Sequence, residues 1–140
     1  GESIMAKTNA FKIAELIRGI EFDVDNDVIS TQKNINSKTK SRGNATRTAT
    51  TEFALDTFAH ADFRAARYVV AMSRGTDFHS TEIMLVHDGS VVTMTQYGTL
   101  KDNNLASFDA DISGSTVRLL ATPASNTSTT IKFDRVLVEA

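Results

Sequence analysis

The stretch Ala66-Arg67-Tyr68-Val69-Val70-Ala71-Met72, followed after Arg74-Gly75-Thr76-Asp77 by Thr81-Glu82-Ile83-Met84-Leu85, decides the fold. Ala66, Tyr68, Val70 and Met72, then Thr81, Ile83 and Leu85, fall on alternate positions. A two-residue period sends successive side chains to opposite faces of a strand, and Arg67 and Glu82 in the gaps mark the second face as wet. Gly75 in the intervening tetrapeptide punctuates the run as a turn. The same period recurs at Phe53 and Leu55, at Phe108, Ala110 and Ile112, and at Val117, Leu119 and Ala121. Further turn signals stand at His87-Asp88-Gly89-Ser90, Lys101-Asp102-Asn103-Asn104, Ser113-Gly114-Ser115 and Pro123-Ala124-Ser125-Asn126. Strand-sized segments repeating at roughly 8 to 12 residues predict an all-β fold over 52–140, an antiparallel, jelly-roll-like β-sandwich of about 7–8 strands.

Three local expectations follow. Asp88-Gly89 tolerates positive φ and reads as a two-residue hairpin loop joining Thr81–His87 to Ser90–Tyr97. Ile131 and Phe133 share one parity while Val136 and Val138 sit on the other, which predicts a β-bulge near Asp134-Arg135. Phe58 to Arg67 has no clean strand period and reads as a corner.

Upstream the pattern changes. Phe11, Ile13, Ala14, Leu16, Ile17 and Ile20 recur at three- and four-residue spacing, with Lys12, Glu15 and Arg18 between them. This predicts an amphipathic helix capped by Thr8 or Asn9, within a segment spanning 5–29 that ends in the acidic turn Asp23-Val24-Asp25-Asn26-Asp27. Such a short helix needs a surface for its stripe, and Ile13, Leu16, Ile17 and Ile20 are the expected oligomer or docking interface. From Ser30 to Thr51 the only large apolar residue is Ile35, so 30–51 reads as an extended polar arm that cannot order itself by burial. Residues 1–4, ahead of Met5, read as a cloning scar. Neither a secretory leader nor a membrane span is expected.

The composition narrows the chemistry. The chain has 140 residues, no cysteine and a formal charge of -2. Thiolate metal sites, disulfides and cysteine nucleophiles are thereby excluded. The charge is unevenly spread: three bases to six acids through Ile29, five to none in the arm, and seven to eleven from Glu52 onward. Asp23, Asp25 and Asp27 begin like a calcium loop, but Val28 and Asn34 stand where an EF-hand needs Gly and a bidentate Glu. The spacing of His60, His79 and His87 matches no metal-ligand pattern, and no nucleophile elbow or phosphate loop is present. No catalytic residue, cofactor or metal is therefore expected, and the protein reads as non-enzymatic. Lys33, Lys38, Lys40, Arg42 and Arg47 could touch phosphates, but no aromatic side chain is interleaved with them, and nucleic acid is not the expected partner. Tyr97, Phe78 and His79 are the candidate receptor contacts, because sugar platforms use exposed aromatic rings.

A resemblance adds to this. The runs Phe63 to Val70, Ser80 to Gly89, Thr95 to Thr99, Phe108 to Gly114 and Val117 to Pro123 together resemble a module of virion structural and tail-fibre-like proteins of tailed bacteriophages, particularly of the marine cyanophage type. The similarity runs from about Thr57 to Val138, and Phe11 to Gly19 is more weakly similar to the helical starts of fibre proteins. The resemblance implies a virion location and a structural appendage component, self-associating as a homotrimer through helix and sandwich and contacting other virion proteins. The alternatives it leaves open are a carbohydrate- or receptor-binding module at a fibre tip, and a capsid-associated protein that contacts nucleic acid through the basic arm.

Overall fold

The structure, a computed structural model, describes residues 39–140. The expected helix over Phe11 to Ile20 with its interface residues Ile13, Leu16, Ile17 and Ile20, the acidic turn, and the basic residues Lys33 and Lys38 lie outside the described residues.

Among the described residues eight strands are present: β1 (Lys40–Arg47), β2 (Phe53–Ala59), β3 (Phe63–Arg74), β4 (Asp77–His87), β5 (Val92–Lys101), β6 (Ala106–Ser113), β7 (Thr116–Pro123) and β8 (Thr129–Glu139). They form a five-stranded sheet, in the order β1-β8-β3-β4-β5, and a three-stranded sheet, β2-β7-β6. Every pairing is antiparallel, as the alternating pattern requires of a sheet with one dry and one wet face. β1 pairs with β8 and β2 with β7, so the chain wraps its early strands against its late ones. β3, β4 and β5 follow one another as hairpins.

The two sheets close over one core. Ala66, Tyr68, Val70 and Met72 of β3, Ile83 and Leu85 of β4, and Ile131, Phe133 and Leu137 of β8 face Phe58 of β2 and Val117, Leu119 and Ala121 of β7. The alternation in the opening stretch is therefore the inward row of the two central hairpin strands. The Tyr68 and Phe133 rings meet edge to face, with centroids 5.6 Å apart.

Four sequence expectations change. Lys40–Arg47, within the stretch read as an arm, is the edge strand β1. Its inward residues Ser41, Gly43 and Ala45 are small, so it carries no apolar alternation to read, and backbone pairing with β8 holds it instead. Gly43 is required there: a Cβ would lie 2.5 Å from Phe133 Cζ. Second, no bulge interrupts β8 near Asp134-Arg135, where pairing with both neighbours runs unbroken. Val136 and Val138 stand on the outer face, and Arg135 takes the inward position. Register slips fall elsewhere, at Phe63/Ala65, at Ser80/Glu82 and in β2, where the shift between Ala54 and Asp56 turns Asp56 toward the interior. There Arg135 Nη1 donates to Asp56 Oδ1 at 2.9 Å and Oδ2 at 2.7 Å, and the Tyr68 hydroxyl donates to Oδ2 at 2.7 Å. A polar tie thus joins the two sheets. Burial first, then the Asp56 carboxylate, drives the Tyr68 phenol far above its usual value.

Third, the β4–β5 loop is longer than the two residues expected from Asp88-Gly89, because His87 pairs directly with Val92. Asp88 Oδ1 accepts from the Ser90 and Val91 amides, both at 2.8 Å, and an Asx-turn replaces the tighter loop. Those two bonds, Val91 first, hold the Asp88 carboxyl below its ordinary range. Fourth, the corner expected over Phe58 to Arg67 shrinks to the turn between Ala59 and Phe63, with Asp62 N donating to the Ala59 carbonyl at 3.2 Å.

Candidate functional site: the outer face of the five-stranded sheet

The outward residues of this sheet line up across the strands by register. One row reads Arg42, Asp134, Val69, Glu82 and Tyr97, from β1 to β5. With strands about 4.8 Å apart, four spacings carry this row across about 19 Å. At its β5 end the Tyr97 hydroxyl donates to Glu82 Oε1 at 3.2 Å. Glu82 also accepts Arg67 Nε at 3.3 Å, so hydrogen-bonding groups run from β5 to β3. Lost hydration first, then the Glu82 carboxylate, holds the Tyr97 phenol above its usual value. Phe78 lies on the same face near the start of β4, 58% exposed, and Leu100 is exposed on β5 opposite Ser80.

At the β1 edge the face is concave. A shallow cleft of about 380 Å³ is lined by Arg42, Asn44, Lys132 and Asp134 over a floor of Val69 and Ala71. A second, of about 290 Å³, continues it along Lys40, Arg42, Asp134 and Val136. Arg42 Nε stands 4.0 Å from Asp134 Oδ1, with both side chains largely in water. That pair contributes little, because exposed charges are screened and must be held in place.

The sequence candidates separate. Tyr97 and Phe78 share the outer face, as expected of exposed aromatics. His79 does not join them: it alternates inward and is 2% exposed. Its Nδ1 accepts from the Leu105 amide at 3.2 Å, while Nε2 is buried without a partner. Burial, and then Lys101, lowers its pKa. His87 is likewise buried, with Nε2 on the Phe63 carbonyl at 2.6 Å and Nδ1 accepting from the Gly89 amide at 3.0 Å. A carbonyl only accepts and an amide only donates, so the neutral tautomer protonated at Nε2 is selected. The His60 ring meets it edge to face, at 6.0 Å. Of the candidate phosphate contacts, Lys40 and Arg42 line the clefts, but Arg47 turns away, its guanidinium 4.1 Å over the Phe53 ring. Lys132, Asn44 and Asp134 were missed. The sole sequence signal for them is their outward parity on weakly patterned strands, and it takes the β1–β8 register to bring them together.

Comparison with known proteins is sparse in sequence: no family model and no curated protein matches the chain. Among solved structures it is similar to the tailspike protein of Acinetobacter phage vB_ApiP_P1, at a TM-score of 0.47 and 16% identity over 70% of this chain and 21% of that one. It is also similar to the tailspike protein of Acinetobacter baumannii phage AM24, at a TM-score of 0.35 and 10% identity over 72% of this chain and 27% of that one. A third is the tailspike protein of Acinetobacter baumannii bacteriophage Fri1, a capsular polysaccharide depolymerase, with a TM-score of 0.34 and 15% identity over 71% of this chain and 18% of that one. The chain thus spans about a fifth to a quarter of the length of the structures it matches. Two expectations are corrected. These neighbours come from phages of Acinetobacter, not from the marine cyanophage type. One of them is by name a depolymerase, which overturns the reading of the chain as non-enzymatic.

Proposed function

We propose that the chain is a module of a tailed-phage tail appendage, carried on the virion, whose five-stranded sheet presents its outer face to a host-surface polysaccharide. The observation that carries this reading is the cross-sheet row ending on Tyr97. It offers an exposed aromatic ring and, through Glu82 and the neighbouring Arg67, a line of hydrogen-bonding groups, while Phe78 adds a second exposed ring elsewhere on the same face. Aromatic faces cover the apolar side of a sugar ring while the polar groups meet its hydroxyls. The sequence resemblance to tail-fibre-like modules supports the setting.

A glycan array probed with the intact chain tests the reading. Binding to at least one capsular or surface polysaccharide is expected, weakened about ten-fold by Tyr97→Ala or Phe78→Ala. New reducing ends released from the bound polysaccharide would register depolymerase activity in the same samples. An array without hits, with the protein folded, overturns the reading.

A second reading, self-association, is favoured by a specific feature of the same face. Met84 and Val86 on β4 and Val136 and Val138 on β8 are each more than two-fifths exposed and flank Arg67 and Ala65 of β3 from either side. Exposed apolar side chains grouped on one sheet face are what a neighbouring copy would cover, in a homotrimer or against another virion protein.

A further inference from the structure

We infer that the paired clefts on β1 and β8 are a subsite for an anionic sugar, a uronate-type residue of the polysaccharide that the same face is proposed to bind; the inference rests on that reading. Four bases line the clefts, Lys40, Arg42, Lys132 and Arg135, against one acid, Asp134; Arg135 is neutralised by Asp56, which leaves three cations for a ligand. Within the described residues Lys40 and Lys132, like Arg47, Arg64 and Lys101 elsewhere, have no carboxylate partner, whereas Arg67, Arg74, Arg118 and Arg135 each have a carboxylate closer than 3.5 Å. Arg42 has only the loose contact with Asp134. The described residues carry ten bases and eleven acids, so this surplus of positive charge is local and not a property of the whole surface.

The geometry suits an extended acidic chain. Lys40 and Arg42 project from the outer face of β1 two residues apart, and Lys132 stands opposite Asn44, two residues further along. At about 3.3 Å per residue the charges succeed one another roughly every 7 Å along the strand. The Arg42 guanidinium offers a planar fork to a carboxylate, and the lysines add point charges. Asn44 and Asp134 supply donor and acceptor groups for hydroxyls, and Val69 with Ala71 makes an apolar floor. Among the lining residues the aromatic one, Phe133, is 6% exposed and packed edge to face on Tyr68, so no ring face is open for the base stacking that a single-stranded nucleic acid would use.

The test is equilibrium binding of the full chain to polygalacturonate, to the same polymer after carboxyl reduction, to neutral dextran and to single-stranded DNA, at roughly 20 mM and 150 mM salt. Polygalacturonate should bind more tightly than its reduced form, should weaken with salt, and should lose about five-fold in affinity on Lys132→Gln and again on Arg42→Gln. Asp134→Asn should tighten it. Equal affinity for the acidic and reduced polymers, or indifference to both charge substitutions, overturns the subsite while leaving the glycan reading in place. DNA bound as tightly as polygalacturonate overturns it in favour of a phosphate polymer. Failure of these polymers and of the glycan array together removes the glycan reading itself.

Discussion

At the scale of single residues, the polar tie among Asp56, Arg135 and Tyr68 is the most consequential contact. Both charges are mostly withdrawn from water, with side-chain exposures of 14% and 17%. Removing one charge strands the other, so Asp56→Ala should cost about 3–5 kcal/mol in chemical denaturation. A double replacement by apolar residues of similar volume should recover most of that loss. Tyr68→Phe leaves the ion pair standing and should cost about 1 kcal/mol. His79 makes a different prediction. Its folded pKa is lowered, so on acidification the unfolded chain takes up the proton first. Stability should therefore be constant above about pH 6.5 and fall as the pH drops below it, with His79→Gln flattening that slope in a pH series of thermal melts. None of this was legible in the sequence. Asp56 sits one residue after an apolar pair and Arg135 among charged residues, and only the bulge in β2 and the unbroken parity of β8 turn them toward each other.

At the scale of elements, legibility followed the amount of apolar side chain. β3, β4 and β7 announce themselves because their inward rows are large and apolar, and the pattern placed them correctly. β1 did not, because Ser41, Gly43 and Ala45 bury almost no apolar surface and the strand is held by its ladder with β8. The candidate site suffered accordingly. Tyr97 and Phe78 were visible as aromatics, whereas the cleft depends on a pairing between residues from opposite ends of the described chain. Gly43 is the point at which β1 can be dislodged. Phe133 is itself packed against Tyr68 and has little room to give, so Gly43→Ala should destabilise the protein by about 1–3 kcal/mol. Hydrogen exchange of the β1 amides should accelerate well before that of β3 and β4.

At the scale of the whole molecule, the outer face of the larger sheet holds both proposed roles, and they compete for the same surface. Light scattering of the intact chain discriminates between them. If copies cover the patch at Met84, Val86, Val136 and Val138, the mass should correspond to a trimer, and Val138→Lys with Val86→Lys should shift it toward the monomer. A strict monomer would leave that face open to ligand and end the self-association reading.

The adjacency of β1 and β8 also sets how the sandwich bears load. In an antiparallel pair the start of one strand and the finish of the other lie at the same end, here Lys40 beside Val136. Tension applied at those two points opens the ladder one hydrogen bond at a time, like a zip, where a sheared pair would resist with all its bonds together. Pulled through its first and last strands, the sandwich should yield at low force in a stretching experiment, with β1 peeling away before the core is breached.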